Sequence, residues 1–169
     1  MATVTLKGNP ITTVGELPTV GSKIPAFKLV KNDLSELSNK DTEGKKIVLN
    51  IFPSVDTGTC AASARFFNQA ASDLQNTQVI CVSRDLPFAQ ARFCGAEGIE
   101  NVVMASDFKT GQFGEDFGVL FNSGPLAGLL SRSIVVTDET GTVLYTEQIS
   151  ETADEPNYEK ALDALKQLA

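Results

Sequence analysis

Three short segments of the chain are apolar almost without a break: Lys46 to Phe52 (KIVLNIF), Gln78 to Ser83 (QVICVS) and Asn101 to Ala105 (NVVMA). They are rich in β-branched residues. A strand with one wet face alternates apolar and polar side chains, so continuous apolarity marks central strands covered on both faces. The stretches between them have helical spacing. Ala61 to Leu74 sets Phe67, Ala70 and Leu74 along one face, and Pro87 to Cys94 begins with Pro and stops before Gly95. Ser133 to Thr137 and Thr142 to Ile149 enclose Asp138-Glu139-Thr140-Gly141, which predicts an antiparallel hairpin. Asn157 to Leu168 is an amphipathic helix with Tyr158, Leu162, Leu165 and Leu168 facing inward. The order β-α-β-α-β, hairpin, α predicts an α/β fold with a mixed central sheet flanked by helices.

The N-terminal segment adds a small hairpin, Thr3 to Leu6 and Ile11 to Val14 around Lys7-Gly8-Asn9-Pro10, and Ala26 to Val30 is a further short strand. No repeat or linker interrupts the 169 residues, so residues 1–169 read as one domain, with 1–18 as a hairpin extension. The first residues lack a signal peptide's charged start and apolar core, and no apolar run is long enough to span a membrane.

Histidine is absent, which removes the commonest general base and metal ligand and excludes Ser-His-Asp and Cys-His catalysis. Fourteen Lys plus Arg against 21 Asp plus Glu leave a net charge of −7, unsuited to nucleic acid or an anionic membrane as partner. The three cysteines, Cys60, Cys81 and Cys94, are odd in number and form no Cys-x-x-Cys pair. Both facts point to free thiols in a reducing cytoplasm.

The segment NIFPSVDTGTCAA carries the chemistry. A buried strand ends at Pro53, a polar loop follows, and Cys60 falls where the next helix begins, with Asp56, Thr57 and Thr59 as candidate caps. A thiol in a first helical turn faces unpaired N–H groups and the positive end of the macrodipole, and both favour thiolate. On position alone Cys60 is either such a reactive thiol or a small residue packed under a loop.

Pro53-Ser-Val-Asp-Thr57-Gly-Thr-Cys60 matches the Pro-x-x-x-Thr-x-x-Cys motif of peroxiredoxins. Together NIFPSVDTGTCAAS, DLPFAQARFCGAEG and GPLAGLLSRSIVV resemble the thiol peroxidases, the atypical two-Cys branch, over almost the whole chain. The resemblance implies a thioredoxin-like fold and a peroxidase without metal, flavin or haem. It implies Cys60 as peroxidatic thiolate, Thr57 as the hydroxyl that orients peroxide, Pro53 as a shield against water and Arg132 as the cation beside sulfur. It further implies Cys94 as the resolving thiol, an intramolecular Cys60–Cys94 disulfide, thioredoxin as reductant and a homodimer. Many family members carry Pro where this chain has Gly58, a difference in loop stiffness.

Without the resemblance, Thr57 reads as a helix cap, Arg132 as a solvated charge and Cys94 as a buried helix residue. Cys81, inside a core strand, is a small inert hydrophobe. Phe88, Phe93, Leu126, Leu129 and Leu130 are the apolar residues expected near the site, favouring alkyl hydroperoxides. The acidic stretch Glu151 to Glu155 reads as a solvated loop. A thiol-based peroxide sensor without fast turnover would use the same thiols, whereas a dithiol oxidoreductase would need the missing Cys-x-x-Cys.

Overall fold

The three apolar segments form the parallel centre of a seven-stranded sheet in a computed structural model that describes residues 1–166. They are β5 (Lys46–Ile51), β6 (Thr77–Ser83) and β7 (Val103–Ser106), with β6 between the other two. β8 (Ser133–Thr137) pairs antiparallel with β5, and β9 (Val143–Gln148) with β8. On the other edge β3 (Lys28–Lys31) pairs antiparallel with β7, and β4 (Glu36–Ser38) with β3. The spatial order is β4-β3-β7-β6-β5-β8-β9.

Continuous apolarity has the expected cause, since both faces are covered. On one face lie α1 (Gly58–Ala71), α2 (Pro87–Glu97) and α4 (Tyr158–Lys166). Val48, Val79, Ile134 and Val136 meet Phe67, Ala161 and Leu165 there. On the other face Leu49, Ile51, Ile80, Val82 and Val135 pack with Phe113 and Phe117, from and just after the short α3 (Gln112–Asp116). The separate hairpin β1 (Thr3–Leu6) and β2 (Asn9–Thr12) buries Val4 and Ile11 against Phe121.

Several boundaries differ from expectation. The first hairpin closes in two residues rather than four: Lys7 and Gly8, with φ of 51° and 81°, make a turn whose twist matches the strands. The buried face of α1 is Cys60, Ser63, Ala64 and Phe67, not Ala70, and Leu74 packs from beyond the helix end. α2 does not stop before Gly95. It runs to Glu97, and Gly98, with φ of 66°, provides the left-handed cap. Tyr158, Leu162 and Leu165 face the sheet as expected, and Leu168 lies outside the described residues.

Candidate active site

β5 delivers buried Phe52 and Pro53 to the loop that becomes α1. Thr57 holds the N-cap position in extended conformation but does not cap with its side chain. Its hydroxyl donates instead to the Ser54 carbonyl at 3.1 Å, and the residue is exposed. Cys60 therefore stands in a first turn whose amide N–H groups receive no side-chain cap, at the positive end of a 14-residue helix.

Strand register brings the cation. Ile51 pairs with Ser133, which sets Arg132, one residue before β8, beside the end of β5. Arg132 is 2% exposed and Cys60 is 0% exposed. The Arg132 Nε–H donates to the Thr152 carbonyl at 2.8 Å, and Nη1–H points at Cys60 Sγ at 3.0 Å. None of the ion pairs among the described residues involves Arg132. A buried guanidinium without a carboxylate is costly unless another anion faces it. The group that faces it is the Cys60 sulfur.

Cys94 lies in the last turn of α2, half-buried, with the Asn32 amide at 3.8 Å from its sulfur. Its carbonyl accepts the Gly98 and Ile99 N–H groups. Burial pushes the Cys94 thiol above its ordinary range, and the Asn32 contact opposes this in part. Cys81 faces the same side of the sheet, 3.6 Å from the Asn50 amide, and burial pushes its thiol up to about 12. Cys60 and Cys81 share one apolar cluster with Phe52 and Phe93, and Cys94 packs against it. All three thiols are free.

The apolar surroundings need correction. Of the five residues expected near the thiol, only Phe93 belongs to its cluster. Leu130 packs on the opposite face of the sheet, Leu126 and Leu129 pack on the N-terminal hairpin, and Phe88 is 67% exposed. The Glu151 to Glu155 segment is not merely solvated loop. The Thr152 carbonyl orients Arg132, and the Ala153 carbonyl accepts the Thr59 hydroxyl at 2.7 Å. Backbone carbonyls leave no side-chain signature, so nothing in the residue types could have revealed this wall. Asp85 was also missed; it binds Ser54 and Val55 of the loop, and its only signal is its place after a strand.

The redoxin family profile matches residues 19–162. A thiol peroxidase of Corynebacterium glutamicum is 54% identical over 165 residues, 98% of this chain and 99% of that protein. One from Mycobacterium tuberculosis is 58% identical over the same span and coverage. This chain belongs to the thiol peroxidase family. A peroxiredoxin-like protein from Aquifex aeolicus, 38% identical, superposes at a TM-score of 0.94 over 100% of this chain and 98% of its own. A thiol peroxidase from Chromobacterium violaceum, 21% identical, shares the fold at 0.89 over 99% of this chain and 97% of its own. The thiol peroxidase fold is thus thioredoxin-like, and the enzyme is a peroxidase of peroxiredoxin type.

Proposed function

We propose that this thiol peroxidase reduces hydrogen peroxide and organic hydroperoxides with Cys60 as nucleophile and Cys94 as resolving thiol. The observation that carries the assignment is the buried, carboxylate-free Arg132 at 3.0 Å from Cys60 Sγ. The guanidinium and the helix N-terminus together stabilise negative charge on sulfur. The Cys60 thiolate attacks one peroxide oxygen, the O–O bond breaks, and water or alcohol leaves with a proton. The product is a Cys60 sulfenic acid. Arg132 N–H groups stabilise the charge that develops on the departing oxygen. The Thr57 proton is committed to the Ser54 carbonyl, so its oxygen lone pairs are free to accept the peroxide O–H. Pro53, buried at the strand end, excludes water from one side of the sulfur.

Cys94 sulfur then attacks Cys60 sulfur, an S–S bond forms, and water leaves. A thioredoxin dithiol supplies two electrons and two protons to restore both thiols. Free thiols fit a reducing cytoplasm, and among the described residues no helix is long and apolar enough to cross a membrane. Residues 1–169 act as one domain, and the family resemblance supports a homodimer. The test is turnover of Cys60→Ser with a thioredoxin system. Loss of activity is expected; appreciable peroxidase turnover would refute the assignment. Stoichiometric oxidation of wild type without steady turnover would instead mark a thiol sensor.

A further inference from the structure

Asp85 lies between β6 and α2, and its carboxylate gathers three donors. Oδ1 accepts the Ser54 hydroxyl at 2.8 Å, while Oδ2 accepts the Val55 N–H at 2.9 Å and the Ser83 hydroxyl at 2.6 Å. Other partners set the direction of these bonds. Ser83 Oγ receives the Gln90 amide at 3.1 Å and the Asp85 N–H at 3.3 Å, so its one proton goes to Asp85. Ser54 Oγ receives the Asp56 N–H at 3.1 Å, so its proton also goes to Asp85.

The far side of this arrangement is anchored in the sheet. The Asp85 carbonyl accepts the Ser106 hydroxyl at the end of β7. Gln90, fully buried, ties Ser83 to the Ala105 carbonyl at 3.0 Å. The near side leads to the reacting thiol. The Ser54 carbonyl accepts the Thr57 hydroxyl at 3.1 Å and the Thr57 N–H at 3.3 Å, and Thr57 is the N-cap position of the helix that begins with Cys60 in its first turn.

We infer that Asp85 is a positioning residue: it latches loop 53–57 to the ends of β6 and β7, holds Thr57 and the first turn of α1 in the peroxide-reactive arrangement, and must release before Cys60 can join Cys94. The inference rests on the assignment of those two thiols. Cys60 Sγ is held at Arg132 and Cys94 Sγ faces Asn32, so a disulfide requires both sulfurs to leave their present partners. A latch of this kind acts in opposite senses on the two steps. Removing it misplaces the peroxide-orienting groups and frees the loop to unwind.

The experiment is rapid-quench mass spectrometry on wild type, Asp85→Ala, Ser54→Ala and Asp85→Asn, with hydrogen peroxide as oxidant and no reductant. For Asp85→Ala, sulfenic acid formation should slow by about tenfold or more, the scale at which small misplacements act. Conversion of sulfenic acid to disulfide should accelerate by about threefold, as expected when a local opening costs less. Ser54→Ala should move both rates in the same directions by less. Asp85→Asn should recover most of the loss, because its amide oxygen still accepts from Val55 and Ser83 while its N–H donates to Ser54 Oγ. Equal slowing of both steps in Asp85→Ala, no change in either, or an Asp85→Asn variant as impaired as Asp85→Ala overturns the latch. Should Asp85→Ala not fold, Ser54→Ala decides: unchanged rates at both steps overturn it. A wild type that never passes from Cys60 sulfenic acid to a Cys60–Cys94 bond would instead refute the assignment of the thiols.

Discussion

The proposed chemistry concentrates on one nitrogen–sulfur contact. Arg132 reaches Cys60 because its Nε is held by a carbonyl while Nη1 remains free to point at sulfur. Lysine carries the charge but not the two-pronged geometry. Arg132→Lys should therefore slow sulfenic acid formation by about 10²-fold, the usual scale for losing one preorganised donor. Competition kinetics against a second peroxidase would measure this, and a near-normal rate would reduce Arg132 to a background charge. Cys94 makes a second prediction. At neutral pH the thiol form dominates both in the resting turn, where burial raises it, and once released toward the ordinary value of about 8.5, so the attacking thiolate is scarce. The sulfenic-to-disulfide step should then accelerate as pH rises from 6 to 8, by up to about tenfold per unit, while thiolate remains the minor form. A closure rate flat in pH over that range would show that Cys94 is not the attacking group.

At the scale of elements, the central strands were legible because burial on both faces writes itself into composition. α2 was misjudged at its end for a reason just as physical. Gly95 and Gly98 look alike in sequence, but only Gly98 takes a positive φ, the left-handed state that caps this helix. Gly95 is simply a weak helix former in the last turn, with open space where a Cβ would stand. Gly95→Ala should stabilise α2 by about 0.5–1 kcal/mol. If Cys94 must leave this turn to reach Cys60, disulfide closure should slow by about two- to fivefold, the same energy expressed as a rate. Unchanged closure in a measurably more stable variant would mean that α2 does not unwind. The edge strand β4 and the helix α3 were missed because three and five residues are too few to show a period. The start of α1 was legible: Thr57, one of the three candidate caps, takes the N-cap position, and Cys60 falls in the first turn.

The whole molecule supplies support that no local pattern displays. The N-terminal hairpin grips the segment that holds Arg132: Thr5 N–H donates to the Ser150 carbonyl at 2.7 Å, and Thr152 N–H to the Thr5 carbonyl at 2.8 Å. Glu151 accepts the Gly8 N–H at 2.8 Å and the Ala153 N–H at 3.1 Å, and these backbone bonds hold its carboxyl below the usual range. A depressed carboxylate stabilises above its unfolded pKa of about 4.3 and loses that contribution as pH falls through the lower folded value. Amide protection in residues 3–12 should therefore weaken below about pH 4 in wild type. In Glu151→Gln it should already be reduced at neutral pH, with a slower peroxide step because the Thr152 carbonyl is less firmly placed. Full protection and full rate in that variant would leave the hairpin without a role at the site. Cys60 was legible as a candidate thiol from its place at a helix start, whereas Thr57, Pro53 and Arg132 took their roles only from a resemblance that spans three motifs. Asp85 and the Thr152 carbonyl act through positions that the fold alone brings together.

The central claim is that Cys60 and Cys94 form the working pair although Cys81 shares their apolar cluster. Cys81 is locked in β6 between two paired strands, and burial holds its thiol at about 12, so it offers neither mobility nor thiolate. The most direct test is peptide mapping by mass spectrometry after one equivalent of hydrogen peroxide, with no reductant present. The account predicts Cys60 joined to Cys94 within a single chain and Cys81 still a free thiol. A bond from Cys60 to Cys81, or from Cys60 to a second chain, would contradict it.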